Sequence, residues 1–223
     1  IAPVITPRYP STMPNKHRSG VVTRPRRWRE TKTIRRTRTA VIVQRLHETY
    51  PNASAELTYA SPFQFLIAVI LSAQTTDVTV NRVTPTLFAH FPDPKSLASA
   101  SQLEVEELVR QTGFFRSKAR AIRETSAQLL ADFDGEVPRT MEELLRLRGV
   151  ARKTANVVLG EAFGVASGIV VDTHVKRLAQ RLGLTRATDP VKIERDLMDL
   201  LDSKEWLFAG IAIIWHGRRV CDA

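Results

Sequence analysis

The 223-residue chain is 43% hydrophobic and 25% charged, ordinary values for a globular protein of one or two domains with a sizeable core. No apolar run approaches the roughly eighteen residues of a membrane helix, and one cysteine excludes an internal disulfide framework and suits a reducing compartment. The net charge of +10 lies in the tail: residues 1–40 hold 11 Lys/Arg and one acid, and residues 41–223 hold 22 of each sign, so any nucleic-acid footprint on the body must be a local patch.

Residues 1–39 place Pro3, Pro7, Pro10, Pro14 and Pro25 among Arg, Thr and Ser, with no helical or alternating period. This reads as a disordered basic arm that adds salt-dependent phosphate affinity. Arg-rich and nearly acid-free, it also suits an organelle-targeting segment, although its prolines oppose an amphipathic helix. A third reading is upstream sequence foreign to the protein, since the chain begins at Ile1.

Helices are predicted from residue 40 onward. Ala40–Tyr50 carries Val41, Ile42 and Leu46 and stops at Pro51. Ser61-Pro62-Phe63-Gln64 is a capping-box pattern with Pro at the first helical position. The helix it opens, to about Gln74, is apolar almost all round and is expected to be the buried centre. Further helices are expected over about Asp77–Phe91 and Ser117–Phe133, with capping patterns at Ser101–Glu104 and Thr140–Glu143. Asp189-Pro190 opens a helix to Leu201, and Ser203 opens the last, to about His216. The run from Gly168 to Val171 is the best strand candidate and reads as a loop. The fold class is all-α, without a fixed-period repeat.

The chemistry concentrates between Leu147 and His174. A tight turn, Gly149-Val150-Ala151, precedes a helix with Ala155, Val158, Leu159 and Ala162 on one face. Gly164 and Gly168 interrupt it, and Asp172 starts another helix. Lys153 falls in the first turn, where the macrodipole disfavours an ammonium and favours a neutral amine able to form a Schiff base. The turn's backbone N–H groups form an anion cradle beside it. On the residues alone, an ordinary glycine turn with a solvated lysine is the favoured reading, and Asp172 reads as a helix N-cap.

GVARKTANVVLGEAFG followed by VVDTHVKRL resembles the helix-hairpin-helix and Asp loop of the endonuclease III family, the bifunctional DNA glycosylase/AP lyases of base-excision repair. LIAVILSAQTTDVTVNRVTPTLF, TGFFRSKARAI, FDGEVPRTMEELLRLRGV and WHGRRVC are similar to that family in the same order, so the resemblance covers roughly residues 41–221. It implies the helix-hairpin-helix DNA glycosylase fold, two helical lobes with a DNA-binding cleft between them. A six-helix barrel domain would span 55–165, and 40–54 would join 166–223 in the second domain.

The resemblance makes Lys153 the Schiff-base nucleophile and Asp172 the essential carboxylate. Gln74 would fill the gap left by the extruded base, and Phe114 would wedge into the duplex with Phe115 as its anchor. Arg116 and Lys118 would reach phosphates there. Gly149, Ala151, Arg152 and Thr154 would grip the backbone beside the nucleophile. The implied partner is damaged double-stranded DNA, bound by a monomer without membrane association, in the cytoplasm at the nucleoid if the source is bacterial. The implied reaction is base release from oxidised pyrimidines and β-elimination at abasic sites. Alternatives are a monofunctional mismatch glycosylase of the same superfamily, which lacks the lysine, and a non-catalytic helix-hairpin-helix binding module.

Two departures stand out. The family reads Leu-Pro-Gly-Val-Gly where this chain has Arg148 and Ala151. If position 151 needs positive φ, alanine there is strained by roughly 1 kcal/mol. Cys221 sits at the first of four cysteines that hold a [4Fe-4S] cluster in the family, and the other three are absent. The cluster is expected for a full-length member but cannot assemble in this chain, which reads as a fragment cut at both ends.

Overall fold

In the computed structural model, residues 30–221 are described. The arm expected over residues 1–39 lies outside them as far as residue 29. They contain eleven α-helices, two short 3-10 turns and no β-strand. The run from Gly168 to Val171 is a loop.

Helix α1 spans Lys32–Thr49, capped by Thr31, whose hydroxyl accepts the Ile34 N–H. It starts eight residues before the expected Ala40, which corrects the arm's boundary. The extra turns are rich in Arg and Thr, so no apolar stripe advertises them. Tertiary bonds hold them: Lys32 Nζ lies 2.9 Å from Asp199, Arg36 Nε donates to the Asp199 carbonyl, and Thr39 is buried.

Helix α2, Pro62–Leu71, is the buried centre. Ser61 accepts the Gln64 N–H, and Pro62 sits where a helix can spare an N–H. The expected box is not reciprocal, because Gln64 Oε1 takes the Ala60 N–H instead. Phe65, Leu66, Ile67, Ala68 and Leu71 are fully buried. The large ones contribute roughly 1.5–3 kcal/mol each on leaving water.

Around it stand α3 (Asp77–His90), α4 (Pro94–Ser99), α5 (Gln102–Val109), α6 (Phe115–Asp132), α7 (Met141–Leu144) and α8 (Arg152–Phe163). α4 carries the reciprocal capping box, Asp93 with Ser96, that the sequence patterns did not single out. These helices share one hydrophobic core, built from residues between Leu57 and Leu159.

A second core joins Leu46 of α1 and its C-cap Tyr50 to the C-terminal helices α9 (Thr173–Arg181), α10 (Pro190–Met198) and α11 (Trp206–Arg219). α10 stops three residues before the expected Leu201, and α11 follows a 3-10 turn at Ser203–Glu205. The two cores meet where α11 lies against α8. A Cβ on Gly160 would stand 2.6 Å from Leu207 Cδ2, so a larger residue at this crossing would force Leu207 to shift. Among the described residues no helix is long and apolar enough to cross a membrane.

Candidate active site

The turn before α8 is pinned to α6. Thr125 Oγ1 donates to the Arg148 carbonyl at 2.5 Å, and Gln128 Oε1 accepts the Arg148 N–H at 2.8 Å. Gly149 takes φ 77°, and a Cβ there would crowd Ala121 and Ile70 at 3.3 and 3.4 Å. The positive φ favours glycine here, and the tight space leaves little room for a side chain. Ala151 has φ −95° and ψ 169°, extended backbone that any residue adopts. The strain expected at Ala151 is therefore absent, because the positive φ falls on Gly149.

Ala151 is the N-cap of α8 and offers no side-chain acceptor. The helix's first N–H groups thus remain without a side-chain cap, an arrangement suited to an anion. Lys153 follows in the first turn, exposed, with Thr154 half-buried beside it.

Asp172 is the N-cap of α9. Its Oδ1 accepts N–H groups from His174 at 2.8 Å and Val175 at 2.9 Å. Its Oδ2 has no hydrogen-bond partner among the described residues. The preceding Ile169, Val170 and Val171 are buried and fix the loop. Lys153 and Asp172 line one cleft of about 420 Å³, together with Gln74, Thr154, Glu161 and Arg218. The cleft joins an amine, a half-satisfied carboxylate and an apolar wall containing Leu207, Ile211 and Trp215.

Arg152 does not point to an external phosphate as expected. Its Nε meets Glu194 Oε2 at 2.6 Å and its Nη2 meets Oε1 at 3.3 Å. Glu194 is 3% exposed, and a buried carboxylate requires a cation. The Glu194 hydrogen bond holds Arg152 above the ordinary arginine range. Asn156 Nδ2 donates to the same carboxylate at 2.7 Å, and Ser167 Oγ donates to Asn156 Oδ1 at 3.0 Å. This network ties α10 to both α8 and the loop leading to Asp172.

Gln74 and Phe114 are exposed residues in left-handed conformations, with φ 53° and 47°. Phe114 is 68% exposed, and Phe115 packs against the first core between the Arg110 and Arg116 guanidinium groups. Arg116 is exposed. Lys118 corrects its sequence reading: at 6% exposure it turns inward to Thr75 Oγ1 at 2.6 Å and the Thr112 carbonyl at 2.7 Å. Burial pulls its ammonium down to about 8.

Cys221 follows α11. Its Sγ accepts from Arg181, and its carbonyl accepts from Arg177. Among the described residues no group of three or more His, Cys, Asp or Glu is placed to hold a metal. One thiol does not fit a four-cysteine cluster.

Sequence reasoning missed Arg218, which bridges Glu56 and Asp77 at 2.6 Å each on the cleft wall. It also missed Glu194. Arg218 lies within WHGRRVC, but its partners Glu56 and Asp77, like those of Glu194, are distant in the chain.

Known proteins resemble this chain in sequence and fold. The profile of the HhH-GPD superfamily base excision DNA repair proteins matches residues 67–203. Endonuclease III of Synechocystis sp. is 57% identical over 178 residues, covering 80% of this chain and 81% of that protein. Endonuclease III of Bacillus subtilis is 41% identical over 182 residues, covering 81% and 83%. A solved structure of a trapped endonuclease III–DNA covalent intermediate superposes with a TM-score of 0.81 at 41% identity, covering 84% of this chain and 88% of that one. The chain therefore belongs to the HhH-GPD superfamily and, within it, to the endonuclease III family of base-excision repair DNA glycosylase/AP lyases.

Proposed function

We propose that Lys153 is the amine nucleophile and Asp172 its carboxylate partner, acting on oxidised pyrimidines and abasic sites in duplex DNA. The observation that carries this reading is their shared cleft: an exposed amine in the first turn of an uncapped helix, and a capped aspartate with a free Oδ2. The protein acts as a monomer on nucleoid DNA, with the duplex across the cleft between two lobes, 55–165 and 40–54 with 166–223.

The damaged nucleotide is rotated out of the stack into the cleft. Gln74 fills the vacated space, and Phe114 wedges beside it, on the exposed positions their left-handed conformations give them. Phosphates rest on the N–H groups of Gly149 and of Ala151 to Thr154, the Val150 N–H being taken by the Leu147 carbonyl, and on Arg116. Lys153 Nζ bonds to the sugar C1′, and the glycosidic bond breaks, its electron pair leaving with the base, which takes up a proton. Asp172 Oδ2 stabilises positive charge on the sugar and relays the proton lost by the amine. The C1′–O4′ bond then opens, its electron pair staying on O4′, which takes up a proton, and the resulting C1′=N imine acidifies C2′. Loss of a C2′ proton then breaks the C3′–O bond, and the 3′ phosphate leaves with that bond's electron pair. Water hydrolyses the imine and returns the amine.

The test is a duplex with one thymine glycol. The expected product is a nicked strand ending in an unsaturated aldehyde. Base release without a nick would indicate a monofunctional glycosylase, and binding without release a non-catalytic module.

A further inference from the structure

We propose that Lys118 is a positioning residue: its buried ammonium staples the loop carrying Gln74 to the loop carrying Phe114 and so sets the spacing at which both side chains enter a duplex. The inference rests on the reading of Gln74 and Phe114 as the duplex-inserting residues.

A lysine is seldom buried without a paired carboxylate. Here none of the described carboxylates pairs with it, and the cation meets two neutral oxygens. One is Thr75 Oγ1, next to Gln74, and the other is the Thr112 carbonyl, two residues before Phe114. Thr75 Oγ1 also donates directly to that carbonyl, which closes the contact into a triangle. The two loops are far apart in the chain: one follows α2, the other precedes α6.

Stability alone does not account for this choice. An apolar side chain of similar length would fill the same space without desolvating a charge. Burial accordingly pulls the ammonium down to about 8. A cation instead draws two acceptors from separate loops to fixed distances. It does so beside Gln74 and Phe114, two of the three non-glycine residues with positive φ among those described. Such conformations persist only where neighbouring contacts over-determine them.

The test compares affinity for a duplex holding a tetrahydrofuran abasic analogue with affinity for the same undamaged duplex. Insertion matters only at the lesion, whereas phosphate contacts serve both. Lys118→Met and Thr75→Val should each lower this preference about tenfold, the scale of one lost charged hydrogen bond. Affinity for undamaged duplex should stay within about twofold, since phosphate contacts dominate it. Adding Gln74→Ala to Lys118→Met should lower the preference no further, because both act on one event. If Lys118→Met fails to fold, Thr75→Val decides the matter alone. Retained preference in the folded staple variants, while Gln74→Ala and Phe114→Ala lose it, overturns the staple. Retained preference in Gln74→Ala and Phe114→Ala overturns the insertion reading beneath it, and the staple with it.

Discussion

At Asp172 two roles fall on different oxygens of one carboxylate. Oδ1 holds the start of α9, while Oδ2 is left for the cleft. Asparagine caps a helix about as well as aspartate, so Asp172→Asn should move stability by no more than about 0.5 kcal/mol. The lost charge should slow single-turnover strand cleavage about 100-fold. Asp172→Ala should add a cap loss of about 1 kcal/mol. Thermal melts and single-turnover rates on an abasic duplex separate these effects, and full activity in Asp172→Asn would reduce the residue to a cap. The helix starts beside Lys153 and at Asp172 were legible from local signals, whereas the roles proposed for the two residues came from the family resemblance. Arg152 and Lys118 misled for the converse reason. Their partners Glu194 and Thr75 stand 42 and 43 residues away, and nothing local marks a basic side chain as turned inward. The positive φ values of Gln74 and Phe114 were likewise invisible, since neither glutamine nor phenylalanine signals a left-handed backbone.

Among the elements, α8 carries most of the proposed chemistry, and its N-terminus lacks a side-chain cap. Ala151→Asp supplies one. The carboxylate would accept the first N–H groups and stabilise the fold by about 1 kcal/mol. It would also occupy the place proposed for a phosphate. Duplex affinity should fall, and the slope of log affinity against log salt should shrink by about one. Higher thermal stability with unchanged affinity would mean that these N–H groups do not meet DNA. The helix starts at Ser61, Thr140 and Asp189 were readable because each cap lies within three residues of the N–H it accepts. The start of α1 was not. Its first turns are basic and stay helical through bonds to Asp199, a residue read in a different helix.

For the molecule as a whole, the site depends on two hydrophobic cores meeting along α8 and α11. Periodicity and the family resemblance indicated helices and lobes. The joint between the cores was not legible, because it rests on a glycine facing Leu207 and on Glu194 held by Arg152 and Asn156. That joint holds an amine on one element in a common cleft with a carboxylate on another. The central claim is that Lys153 bonds covalently to the sugar. The direct measurement is borohydride reduction during turnover of an abasic duplex, followed by proteolysis and mass mapping of the trapped chain. The account predicts one reduced adduct, on the peptide bearing Lys153, and none in Lys153→Ala, whose duplex binding survives through its phosphate contacts. An adduct of unchanged yield in Lys153→Ala, or one mapped to another amine, would contradict it.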